Sequence, residues 1–117
     1  MRASEPKKNV WIVKPANLSR GRGIHLIDDI NEVIVDELSV ISRYVTNPLL
    51  INGHKFDLRV YVLVTCYEPL RIYVYKEGLA RFASEVYTSK INKDNKFMHL
   101  TNYSINKKND NFVQNEN

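Results

Sequence analysis

A chain of 117 residues, 44% hydrophobic and 26% charged, fits one soluble globular domain and is too short for two. Its formal charge of +4 suits an anionic partner or ligand. The lone Cys66 excludes an internal disulfide and a cysteine zinc set, no apolar run reaches the ~18 residues of a membrane span, and the start Met1–Lys8 lacks the apolar core of a signal peptide, so a cytoplasmic protein without membrane contact is expected.

Residues 1–9 read as a polar lead-in. Val10–Val13 is a short continuous apolar run, as in a buried strand, and Lys14-Pro15 ends it, because proline lacks the amide donor a ladder needs. Asn17 to Gly23 is a basic loop punctuated by glycine. Ile24–Ile27 reads as the next strand. Asp28 to Asp36 predicts one short helix with Asp28 or Asp29 as its N-cap. Val40–Val45 is another strand, closed by Asn47-Pro48. Leu49–Ile51 passes through the turn dipeptide Asn52-Gly53 into Lys55–Val64.

Lys55–Val64 is predicted as one strand of about ten residues, because β-branched and aromatic residues dominate it. Side chains alternate on a strand, so Phe56, Leu58, Val60, Val62 and Val64 share a predicted core face. Lys55, Asp57, Arg59 and Tyr61 share the other. Tyr67-Glu68-Pro69-Leu70 is a turn. Arg71–Tyr75 pairs back as a hairpin, and Leu79–Ala83 is read as the third strand of that meander. Residues 84–97 read as irregular and Met98–Ile105 as extended. From Asn106 to Asn117 the chain is rich in Asn and Lys and reads as a disordered tail. Strands dominate, and no amphipathic helix matches Lys55–Val64 in length. Two architectures follow: an all-β mini-domain with one wet face, or a piece of a larger α+β domain.

Three stretches carry candidate chemistry. Lys14 followed by Ser19-Arg20-Gly21-Arg22-Gly23 combines cations with glycines that let backbone amides approach phosphate. It is not a P-loop, and no βαβ unit surrounds it as a dinucleotide fold would need. The row Lys55, Asp57, Arg59, with Arg81 and the hairpin residues Arg71 and Tyr73 expected nearby, places several cations around one carboxylate; an anion would balance them. His99-Leu100-Thr101-Asn102-Tyr103-Ser104 is dense in hydrogen-bonding groups. The spacing of His25, His54 and His99 suggests no zinc site, and no metal ligands are assigned. Ser104 lacks a nucleophile elbow. Each stretch also has a plain reading: a solvated hairpin, a wet sheet face and a capped loop. Most of the seven tyrosines read as strand packing residues and no RNP motif is present, which argues against nucleic acid.

Taken in order, Trp11-Ile12-Val13-Lys14-Pro15, Ser19–Ile24, Ser42-Arg43-Tyr44-Val45, Lys55-Phe56-Asp57-Leu58-Arg59 and Met98–Ser104 resemble the tubulin tyrosine ligase-like proteins, and most of all their polyglutamylases. The resemblance runs from about residue 9 to residue 110. It implies an α+β fold, here a partial ATP-grasp domain over residues 10–105 built mainly of antiparallel strands. It implies that ATP phosphorylates a carboxylate and that an amino acid's amine attacks the acyl phosphate. For a polyglutamylase the donor is free L-glutamate, and the acceptor is a glutamate side chain in an acidic tubulin tail. By the same resemblance Lys14 binds ATP phosphate, and Arg20 and Gly21 belong to the mobile loop over the phosphates, with Arg20 also meeting the acceptor. Ser42, Arg43, Tyr44 and Val45 form the strand that reads the adenine edge through its backbone; Ser42 stands where glutamine is frequent. Lys55, Asp57, Thr101 and Asn102 are further ATP contacts. Arg81 holds the incoming glutamate, with Tyr103 and Ser104 beside it. Arg59 is added from its place on the row.

The family's magnesium ligands match nothing in these residues and are expected outside them, so the 117 residues alone are expected to be inactive. The implied setting is the microtubule cytoskeleton, including cilium or basal body. The alternatives are a glycylase or tyrosine ligase of the same fold, and a non-catalytic nucleotide- or microtubule-binding piece.

Overall fold

The computed structural model describes residues 9–34, 38–88 and 90–114. The expected lead-in over residues 1–8, residues 35 and 36 of the expected helix, and the tail end 115–117 lie outside the described residues.

Strands β1 (Trp11–Pro15), β2 (His25–Ile27) and β3 (Ser39–Arg43) form one antiparallel sheet in the order β2-β1-β3. Pro15 closes β1 at the sheet's end, opposite Ser39. The expected helix after β2 is a single 3₁₀ turn, Ile30–Glu32, with Asp29 as N-cap and Glu32 completing a capping box. Lys93 fastens that turn to the body through Asp28 at 2.6 Å and Glu32 at 3.0 Å.

A second antiparallel sheet holds β4 (Leu50–Ile51), β5 (His54–Arg59) and β8 (Leu79–Val86) in the order β4-β5-β8. Asn52 and Gly53, with φ of 50° and 79°, make the tight turn between β4 and β5. The predicted ten-residue strand does not exist as one element. It breaks at Val60-Tyr61, and β6 (Val62–Tyr67) pairs only with β7 (Leu70–Val74) in a separate hairpin. A strand lasts as long as its partner. β8 accompanies β5 through the Arg59–Leu79 pair, and beyond it the chain pairs with itself. The chain returns at Gly78, where any Cβ would stand 2.6 Å from the Arg59 carbonyl oxygen. β8 is therefore the neighbour of β5 and not a third strand of a β6-β7 meander.

This break moves two expected neighbours. Arg71 and Tyr73 sit on the hairpin, opposite Cys66 and Leu63, and do not join the Lys55 row. Burial on β5 also departs from the expectation: Lys55, Phe56 and Asp57 are half-buried, while Leu58 and Arg59 are exposed. The Lys55-Asp57 face is the one turned to the rest of the chain. Leu58 is 65% exposed and Phe82 is 42% exposed on the opposite face, where Phe56 stacks on Phe82 at 5.9 Å. Val60, Val62 and Val64 are exposed, as are Tyr61, Tyr67, Tyr73 and Tyr75, so these are not core or packing positions among the described residues.

Two single-turn helices, α1 (Lys96–His99) and α2 (Tyr103–Asn106), replace the expected extended segment and pack on the second sheet. The core runs through Val10, Leu26 and Tyr44 with Ile12, Tyr87 and Ile91 against them. Asn106, expected in a disordered tail, is instead buried. Its Oδ1 accepts from Ser84 N and Oγ, both at 2.8 Å, and its Nδ2 donates to the carbonyls of Leu100 at 2.8 Å and Asn102 at 3.0 Å. All four bonds of the amide are made, so this residue clamps the 100–102 backbone onto β8.

Candidate functional site

The site assembles along residues 99–104. Lys55 on β5 reaches under α1, where its Nζ donates to the His99 carbonyl at 2.8 Å and to Tyr44 Oη at 3.3 Å, over the Tyr44 ring at 4.7 Å from its centre. Burial lowers the Lys55 pKa; Asp57 opposes the shift and Lys14 adds to it. Lys14 on β1 is therefore close enough to repel Lys55, though the two come from different sheets.

One register step along, Asp57 faces Arg81 across the β5-β8 ladder. Arg81 Nε donates to Asp57 Oδ1 at 2.7 Å, and its Nη2 donates to Oδ2, a two-point pair. The Arg81 hydrogen bonds, then that of Thr101 and the charge of Arg59, hold the Asp57 carboxyl below its usual range against the opposing effect of burial. Asp57 thus stays ionised and links the cationic row to Thr101. The side-on pair occupies one edge of the guanidinium and leaves its Nη1 side for a second carboxylate.

The glycine loop closes on the same segment. Arg20 and Gly21 have φ of 60° and 78°, in the left-handed region. A Cβ on Gly21 would stand 3.0 Å from Asn102 Oδ1 and 3.1 Å from Ile105 Cγ1. Ser104 Oγ donates to the Arg20 carbonyl at 2.7 Å. Thus the loop and the Thr101–Ser104 segment, some eighty residues apart in sequence, are one surface.

β3 lies at the edge of its sheet. Tyr44 N donates to Val10 O and Ala16 N to Leu38 O, both at 2.8 Å. In an antiparallel ladder alternate residues carry the bonds. Ser42 and Tyr44 therefore turn their backbone to β1, and Arg43 turns its N–H and C=O to the open edge. Arg43's side chain donates to Asn9 at 3.2 Å, and Val45 beyond it is exposed.

The structure brings together Lys14, Lys55, Asp57, Arg59, Arg81, Thr101, Asn102, Ser104, Arg20 and Gly21, with Tyr44 beneath Lys55. Tyr103 points elsewhere: it packs edge-on against Phe112 at 5.7 Å, with Lys107 over its ring. Sequence reading gave no role to His99. It is 2% exposed, with Nδ1 2.8 Å from Tyr44 Oη and Nε2 2.9 Å from the Asn92 carbonyl. Its only sequence signal is a polar residue between Met98 and Leu100, both buried. Burial first, and then the Lys55 charge, push its pKa below the ordinary 6.5, against the Asn92 bond.

A pH effect follows. In the unfolded chain His99 takes a proton near pH 6.5. In the fold it does so only at lower pH. Between those values the unfolded state binds more protons, so stability falls as pH falls through that window. Melting curves from pH 7 downward are expected to show a falling Tm, with a smaller fall in His99→Asn; equal slopes would contradict this.

Lys55, Arg59 and Arg81 surround the Asp57 carboxylate, Lys14 lies near Lys55, and the Arg20-Gly21 loop meets the same 101–104 segment, on an α+β scaffold, that of a partial ATP-grasp fold. The family model of the tubulin-tyrosine ligase family matches residues 1–117, and the chain belongs to that family. It is 57% identical over 104 residues to "Tubulin polyglutamylase TTLL5" of Homo sapiens, an alignment covering 88% of this chain and 8% of that protein. It is 52% identical over 101 residues to "Probable tubulin polyglutamylase TTLL2" of Homo sapiens, covering 86% and 17%. It is 50% identical over 106 residues to "Tubulin monoglutamylase TTLL4" of Mus musculus, covering 90% and 9%. The chain thus spans less than a fifth of the length of each.

Proposed function

We propose that the protein is an ATP-dependent ligase that adds glutamate to glutamate side chains of tubulin tails. The observation that carries this reading is the convergence of the Lys55 row, the Asp57–Arg81 pair and the Arg20-Gly21 loop on residues 99–104. It is supported by the names of the relatives, which are glutamylases of tubulin.

In this reading residues 10–105 belong to the catalytic domain, with Asn106 packed into it as the clamp of residues 100–102. ATP is a substrate. Lys14, Lys55 and the loop around Arg20 and Gly21 hold its phosphates, with Arg59, Thr101 and Asn102 alongside. The open edge at Arg43 offers one donor and one acceptor to adenine, within the stretch Ser42–Val45. The acceptor carboxylate takes the terminal phosphoryl group and ADP leaves. The amine of free glutamate then attacks the acyl phosphate, an amide bond forms and phosphate departs. Developing negative charge at each step lies among fixed cations, which is where electrostatic stabilisation acts. Arg81 holds a carboxylate of the donor through its free side, with Ser104 near it. A role for Tyr103 in donor binding requires its ring to leave Phe112.

Magnesium supplies charge neutralisation at ATP phosphates in such transfers. Among the described residues no group of three His, Cys, Asp or Glu could hold a metal, and Asp57 is engaged by Arg81. In this reading the metal's ligands lie outside these residues. The reading places the protein on microtubules, including those of cilia. Among the described residues no helix is long and apolar enough to cross a membrane.

The test is mass spectrometry of tubulin after incubation with the full-length protein, ATP, magnesium and an amino acid. Mass steps of one glutamate on the tails are expected. Steps of glycine or tyrosine would reassign the donor, and unchanged tubulin would overturn the reading.

A further inference from the structure

His99 joins the two sheets through a directional chain of hydrogen bonds. The Asn92 carbonyl can only accept, so the imidazole proton lies on Nε2, 2.9 Å away. Nδ1 is then bare and must accept, and the one donor beside it is the Tyr44 hydroxyl at 2.8 Å. That hydroxyl gives its proton to His99 and turns its oxygen to Lys55 Nζ, with the Tyr87 hydroxyl, which donates to the Thr46 carbonyl, as a further neighbour. The His99 carbonyl accepts a second proton of the same ammonium at 2.8 Å. One residue thus sets both protein acceptors of Lys55, one with its backbone and one with its ring through Tyr44. The third N–H of the ammonium has no protein acceptor among the described residues. The Tyr44 and His99 rings meet edge to face at 5.3 Å, and Tyr87 packs edge-on against His99 from the other side at 6.0 Å, so the imidazole cannot turn freely.

We propose that His99 is a positioning residue of the nucleotide site, which aims Lys55 through the Tyr44 hydroxyl and leaves one ammonium N–H for a phosphate oxygen of a nucleoside triphosphate. This rests on the nucleotide reading of the site given above. The neutral ring is part of the device. A protonated His99 could no longer accept from Tyr44 and would set a second cation against Lys55. Burial keeps the Tyr44 phenol protonated and the His99 ring neutral, as the chain of bonds requires.

The test is steady-state kinetics of the full-length protein with ATP and the amino-acid donor varied in turn. His99→Leu, which keeps the bulk and removes both ring nitrogens, is expected to raise KM for ATP about 10-fold, while KM for the donor changes by less than about 2-fold. A purely structural defect would lower the active fraction, hence kcat, and leave KM for ATP in place. His99→Asn, whose side-chain oxygen can replace the Nδ1 acceptor, is expected to return KM for ATP to within about 3-fold of the parent. If His99→Leu fails to fold, Tyr44→Phe decides, since it removes only the hydroxyl; a raised KM for ATP supports the proposal. An unchanged KM for ATP in the folded variant, or no rescue by asparagine, overturns it. ATP titration of Lys55→Ala separates the two levels. Parent-like affinity there would sink the nucleotide reading itself, whereas weakened Lys55→Ala with unchanged His99→Leu would sink the His99 role alone.

Discussion

Arg81→Ala in the full-length protein is expected to raise KM for the amino-acid donor about 100-fold, the effect of losing a charge-assisted, two-point hydrogen bond to a carboxylate. ATP affinity is expected to fall too, but less. Asp57 holds Arg81 through Nε and Nη2. Removing the guanidinium leaves an ionised carboxylate beside the proposed phosphate site, where it repels the nucleotide. The two losses have different causes and can be separated. The double variant Arg81→Ala/Asp57→Asn removes the orphaned charge, so it should recover ATP affinity and leave donor use impaired. Arg81→Lys keeps one charge but not the fork, and should recover little. Equal loss of ATP and donor use in Arg81→Ala, both restored in the double variant, would remove Arg81 from donor binding.

Gly21→Ala is expected to lower stability by about 1–2 kcal/mol, the cost of a Cβ in the left-handed region. It is also expected to lower kcat/KM at least 10-fold, since a small displacement of a loop proposed to cover the phosphates has effects of about that size or more. Two separate penalties meet at this residue. The φ of 78° strains any L side chain, and the added carbon would meet Asn102 Oδ1 at 3.0 Å. Asn102→Ala in the Gly21→Ala background relieves the contact with Oδ1, but the strained φ and the Ile105 Cγ1 contact at 3.1 Å remain, and a proposed ATP contact is lost with Asn102. A small gain in stability with no recovery of activity is therefore expected, most of the stability loss being retained. Thermal melts and kinetics on the four proteins check this. A Gly21→Ala protein with parent activity would show that loop and segment 102–105 need not meet as they do here.

Several local features were legible in the sequence because a few adjacent residues dictate each: the left-handed glycine of the basic loop, the Asn52-Gly53 turn and the Asp29 cap. The row Lys55, Asp57, Arg59 was visible from alternation alone. What alternation cannot say is which face a strand buries. Phe56 and Leu58 look like a core face, yet the charged face is the one covered here, by residues 99–102. The break at Val60-Tyr61 was hidden for a similar reason. Both halves have strand-forming composition, and only the change of partner from β8 to β7 divides them. Helices α1 and α2 are one turn each, too short for a helical period to register. Asn106 lay in a run of Asn and Lys that resembles a solvated tail, and nothing local marks it as the clamp of residues 100–102. His99 was legible as a histidine and not as a partner of Tyr44, fifty-five positions earlier.

The measurement closest to the central claim is calorimetric titration of the full-length protein with ATP and magnesium, beside Lys55→Ala shown by circular dichroism to be folded. If the cationic row is a nucleotide site, the parent binds ATP saturably and Lys55→Ala binds it about 30-fold more weakly, the cost of one charge-assisted phosphate contact. Absence of binding by the folded parent, or equal affinity in the two proteins, would mean that the row is not a nucleotide site.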